Sequence, residues 1–135
     1  MSAQLTLNDD AQDFELPLVR VFVYGNMLNP DLRKKLDVKV EKVHHGAILE
    51  DFKRYAVKAA PYPCAAPCKG AQIEGQVHEI HMDNLGKYDH HEGTENGLFE
   101  RIKVNVGFWG GKDQRAYLYT KGPSLKASRL QGEWR

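Results

Sequence analysis

Long apolar runs are missing from this sequence. Its longest hydrophobic stretch falls far short of the roughly 20 residues that a membrane-spanning helix requires, so no such helix is expected. The opening segment, MSAQLTLNDDAQDFELP, lacks the basic start and apolar core of a secretory signal, which leaves the cytoplasm as the default location. Charge bias is missing too. A formal net charge of +1 gives no reason to expect nucleic acid or an anionic membrane as a partner. Cysteine is scarce. Cys64 and Cys68 are too few for a disulfide framework and wrongly spaced for a CxxC redox or zinc pair, so both are read as reduced thiols without a role. There is no GxxxxGK[ST] phosphate loop, no GxSxG elbow and no GxGxxG after a strand, which disfavours nucleotide and serine-hydrolase chemistry.

What is there fits one domain. A chain of 135 residues with 41% hydrophobic residues can bury a real core but has little room for a second. Residues 1–17 are polar, end in Pro17 and read as a leader. LVRVFVYG (18–25) is β-branched and aromatic, with Val21, Phe22 and Val23 apolar on both faces, as in a buried central strand. It stops at Gly25, a residue that tolerates unusual backbone angles. Asn29 then offers an N-cap, Pro30 a first helical residue, and Leu32 and Leu36 an apolar stripe one turn apart. Residues 43–58 read as one or two strands around the polar corner Glu50-Asp51. PYPCAAPCKG, with Pro61, Pro63 and Pro67, reads as a loop. IEGQVHEIHM (73–82) reads as a strand, and Asp83 as the cap of a short helix through Tyr88. FERIKVNVGFW (99–109) and RAYLYT (115–120) read as a β-hairpin across GGKD. The tail, 121–135, is expected to be helical from Ser124 to Leu130. The expected fold class is α+β: a small, mostly antiparallel sheet or barrel with one or two short helices, over residues 18–120.

Three groups of residues invite a chemical reading. Six histidines, at 44, 45, 78, 81, 90 and 91, have no i, i+4 pair, and neighbouring side chains on a strand point to opposite faces, so no metal is expected. The turn in VFVYGNML (21–28) follows a central strand directly and can aim successive backbone N–H groups into one concavity, as an anion or oxyanion site requires. It can equally be a plain strand-to-helix turn. YDHHEG (88–93) places Glu92 before Gly93, as either a solvated turn residue or a catalytic carboxylate.

Taken together, these stretches resemble the γ-glutamylcyclotransferase fold family. The resemblance rests on Tyr24-Gly25-Asn26-Met27-Leu28, then Leu85 through Tyr88-Asp89-His90-His91-Glu92-Gly93, then Phe99-Glu100-Arg101 and the alternating strand that follows. Residues 46–63 and 75–80 are similar to the AIG2-like (avirulence-induced) branch. The resemblance implies a short barrel opening onto a pocket, with the YG loop and Glu92 at its mouth. It implies that a γ-glutamyl α-amine attacks its own γ-carbonyl, releasing 5-oxoproline and an amine or amino acid, with no cofactor. Glu92 would be general acid/base, and the backbone N–H groups of Asn26, Met27 and Leu28 would hold the substrate carboxylate or the oxyanion. Tyr24, Gly25, Tyr62 and Phe99 would complete the small-substrate site, with Met27 taking up space in it. A non-catalytic AIG2-like module that binds a small ligand or a protein through the same pocket stands as the alternative.

Overall fold

The first strand, β1 (Leu18–Val23), is apolar on both faces because it separates two cores. Phe22, with Tyr24 beyond it, points into one cluster together with Leu49, Ile73, Val77 and Leu118. Val21 and Val23 point into the other with Met27, Ile80, Leu85 and Tyr88. This is the buried central strand that the sequence suggests. A computed structural model provides the coordinates and describes residues 17–58, 62–126 and 129–134. The expected leader therefore lies, apart from Pro17, outside the described residues.

After β1 come a 3-10 turn over Asn26–Leu28, a short helix α1 (Pro30–Lys35) and two long strands, β2 (Lys42–Val57) and β3 (Pro63–His81). Asn29 caps α1 as expected, its side chain accepting a hydrogen bond from the Asp31 N–H at 2.9 Å. A second 3-10 turn leads into α2 (Leu85–Glu92), followed by β4 (Phe99–Phe108), β5 (Gln114–Lys121) and β6 (Leu130–Glu133). Five strands close on themselves: β1 pairs with β3, β3 with β2, β2 with β4, β4 with β5, and β5 in parallel with β1. Most pairings are antiparallel. β6 adds to the outside of β2, and α2 packs through Leu85 and Tyr88 on the second core. This is the expected α+β barrel with short helices.

Local structure departs from the sequence reading in three places. PYPCAAPCKG is not a loop, because from Pro63 onward it is the first half of β3. The prolines sit where a ladder tolerates them: Pro63 begins the strand, and Pro67 pairs with Phe52 beside a register shift. At that shift Asp51 has φ 65°, and its carboxylate accepts the Gly70 N–H at 2.9 Å, so residues 42–57 are one strand bent at the polar corner. The helix begun near Asp83 does not end at Tyr88 but runs to Glu92, and no side chain caps it. In the tail, Leu130–Glu133 is a strand rather than the end of a helix, because pairing with β2 satisfies its backbone.

Candidate active site

Four elements meet at one end of the second core. The end of β1 delivers Tyr24 and Gly25, and the 3-10 turn adds Asn26 and Met27. The β2–β3 connection adds Tyr62 and Pro63, while the C-terminus of α2 adds Glu92. Together they line a cavity of about 130 Å³. Gly25 is not left-handed, with φ −140°, but it packs closely: a Cβ would lie 3.3 Å from the Pro63 ring, which would have to give by a few tenths of an ångström. Gly93 is required by conformation. With φ 76° and ψ 31° it ends α2 in the left-handed region and leaves Glu92 as the last helical residue.

Glu92 is half-buried as a residue, and its carboxyl is held away from water. Burial pushes its pKa up to about 7. The ionised group raises the pKa of Tyr24, Tyr88 and Cys64, so the carboxylate lies within electrostatic reach of all three. Glu92 lines the cavity beside Tyr24 and Tyr88. Burial pushes the Cys64 thiol up to about 12, which leaves it protonated and a poor nucleophile.

The cavity tyrosines are held by a connected set of hydrogen bonds. The Tyr24 hydroxyl donates to the Tyr119 carbonyl at 2.6 Å and accepts the Ala65 N–H at 3.1 Å, so it is a fixed wall and not a spare donor. The Tyr119 hydroxyl donates to Asp89 Oδ1 at 2.6 Å, and Arg101 donates to both Asp89 oxygens at 2.8 and 2.6 Å. Asp89 thus ties α2 to β4 and β5, one turn before Glu92. Tyr62 and Phe99 pack against each other in the cavity lining, with ring centroids 6.0 Å apart and planes tilted by 54°.

Of the residues singled out in the sequence, Tyr24, Gly25, Asn26, Met27, Tyr62, Phe99 and Glu92 come together around this cavity. Leu28 does not. It packs against the second core, and its N–H donates to the Gly25 carbonyl at 2.9 Å, which closes the 3-10 turn and removes that amide from any anion cradle. The N–H groups of Asn26 and Met27 begin the turn and have no acceptor within it. The histidines disperse: His44 meets Glu79, His81 meets Glu41, and His90 meets Glu95, whereas His91 lines the cavity. Among the described residues no group of three or more His, Cys, Asp or Glu side chains is placed to hold a metal, and no helix is long and apolar enough to cross a membrane.

The family profile "Gamma-glutamyl cyclotransferase, AIG2-like" matches residues 21–135. The chain belongs to this family. AIG2-like protein A of Arabidopsis thaliana is 36% identical over 93 residues, which are 67% of this chain and 53% of that protein. AIG2-like protein D of the same plant is 30% identical over 122 residues, 85% of this chain and 78% of the relative. The chain spans about half the length of AIG2-like proteins A and B. An Arabidopsis thaliana protein solved in solution superposes with a TM-score of 0.72 at 27% identity, covering 93% of this chain and 81% of that one. A gamma-glutamyl cyclotransferase superposes with a TM-score of 0.67 at 21% identity, covering 78% and 67%, a likeness of fold.

Within this AIG2-like cavity, the sequence left open whether His91 lines the wall, and it does, while Tyr88, Tyr119 and Leu98 were not singled out as site residues. Tyr88 had a usable signal, since it precedes Glu92 by one helical turn and shares its face. Tyr119 had a weaker one. In RAYLYT, alternation separates Tyr117 and Tyr119 from Ala116 and Leu118, but only closure of the barrel brings Tyr119 beside α2.

Proposed function

We propose that the protein is a γ-glutamyl cyclotransferase-like enzyme acting on a small γ-glutamyl amine or amino acid. The observation that carries this reading is the placement of Glu92: a buried carboxyl, titrating near 7, in the wall of a ring-sized cavity opposite the YGNM turn. An apolar cavity of about 150 Å³ holds a benzene molecule. At about 130 Å³ this one suits a five-membered lactam, leaving the departing group outside.

The chemistry needs such a carboxyl. At neutral pH the attacking α-amine, beside its own ionised α-carboxylate, is an ammonium ion with no lone pair to offer. Glu92, ionised, takes a proton from it, and the nitrogen then attacks the γ-carbonyl carbon to form the ring C–N bond. The carbonyl electron pair moves to oxygen, facing the N–H groups of Asn26 and Met27. As the carbonyl re-forms, the original amide C–N bond breaks and its electrons leave with nitrogen. Two protons leave the attacking nitrogen and two arrive on the leaving one, so a single carboxyl that both accepts and donates near pH 7 balances the reaction. Positioned proton transfer of this kind contributes about 10²–10⁴ in rate. Holding amine and carbonyl of one molecule in contact supplies a further large factor.

The test is release of 5-oxoproline from a panel of γ-glutamyl amines and amino acids, alongside a chemical-shift titration with the same compounds. Turnover of at least one compound is expected. Binding without turnover would support the small-ligand module instead, and neither binding nor turnover would remove the γ-glutamyl reading.

A further inference from the structure

We propose that Tyr88 is a ligand-contacting residue, whose hydroxyl donates a hydrogen bond to the γ-carbonyl oxygen of the bound γ-glutamyl compound and to the same oxygen of 5-oxoproline. The inference rests on the γ-glutamyl reading above.

Tyr88 is 1% exposed and lines the cavity, yet its hydroxyl has no hydrogen-bond partner among the described residues. The neighbouring hydroxyls differ. Those of Tyr24 and Tyr119 are both committed to partners within the protein. A buried hydroxyl without a partner costs stability, and phenylalanine would fill the same volume without that cost. A partner supplied from the cavity accounts for the hydroxyl.

The ring is also held in place for such a role. It stacks on Tyr119, with centroids 6.3 Å apart and planes 10° from parallel, and Tyr119 is itself tied to Asp89. Burial pushes the Tyr88 pKa up to about 12, so the group keeps its proton and acts as a donor near neutral pH. Tyr88 also feels the Arg33 charge and, in the opposite sense and more weakly, that of Glu92. The γ-carbonyl oxygen, which faces the N–H groups of Asn26 and Met27 in the reaction above, has a second lone pair that this hydroxyl can meet.

Tyr88→Phe tests this without disturbing the packing. Affinity for 5-oxoproline, by titration calorimetry, and the melting temperature of the unliganded protein are measured for the wild type and the variant. The expected result is about a tenfold loss of affinity, the effect of one hydrogen bond, with the unliganded melting temperature unchanged or higher. Equal affinity in the two proteins overturns the assignment of Tyr88 and leaves the γ-glutamyl reading standing. A melting temperature several degrees lower in the variant shows the hydroxyl bonded within the protein and also overturns it. A wild type that binds neither 5-oxoproline nor any γ-glutamyl compound overturns both.

Discussion

A carboxyl set in a cavity wall and one on a surface turn respond oppositely to substitution. Glu92 holds its proton to about pH 7 in the folded state, against 4.5 ordinarily, because burial penalises the charge. Between those values the native state binds more protons than the unfolded one, so this residue lowers stability as pH rises through the window. Glu92→Gln keeps the shape and removes the charge. Thermal melts are expected to show the variant more stable than the wild type at pH 8, with the difference vanishing near pH 4. Tyr24 makes the contrasting case, since its hydroxyl bridges the Tyr119 carbonyl and the Ala65 N–H. Tyr24→Phe leaves both buried groups without their partner and should cost about 1–3 kcal/mol in a denaturant titration.

At the scale of elements, the site depends on where α2 stops. Gly93 ends it with φ 76°, and a Cβ there would come 3.3 Å from Leu98 Cδ1. Gly93→Ala should therefore destabilise by about 1 kcal/mol in denaturant titrations and lower turnover beyond what that loss explains, because Glu92 is the residue directly before the turn. The strand-turn-helix order from β1 to α1 was legible in the sequence, since Asn29 and Pro30 mark a helix start through local chemistry alone. The first half of β3 was not. Its prolines signal a loop locally, and only the register shift opposite Asp51 makes room for Pro67 in a ladder. β6 was hidden for the same reason: LQGE has no strand pattern and is ordered by its pairing with β2.

For the molecule as a whole, barrel closure does what local sequence cannot express: it brings β5 beside β1 and so sets Tyr119 between Tyr24 and α2. The motif residues of the site were legible because their chemistry is local to two short stretches. Tyr88 and Tyr119 enter through packing between distant elements. The same closure buries His78 completely, with Nε2 against Gln76 Oε1 at 2.8 Å, and burial lowers its pKa to about 4. The unfolded chain then takes up a proton below about pH 6.5 that the native state refuses, so this group removes stability as pH falls toward 4. Glu79, held low chiefly by its hydrogen bond to His44, removes stability only at lower pH, below about 4.5, where the unfolded carboxyl takes up its proton. Glu92 opposes His78 between about pH 7 and 4.5. Wild-type stability should consequently change less between pH 6.5 and 4.5 than that of Glu92→Gln, in which the acid loss stands uncompensated.

The central claim is that Glu92 moves the protons of an intramolecular cyclisation, and the direct measurement is 5-oxoproline release by wild type and Glu92→Gln on the best substrate of the γ-glutamyl panel. Folding of the variant is verified by its melting temperature. The account predicts that turnover falls by about a hundredfold or more while the variant melts at or above the wild-type temperature at neutral pH. Undiminished turnover in a folded Glu92→Gln protein would contradict it.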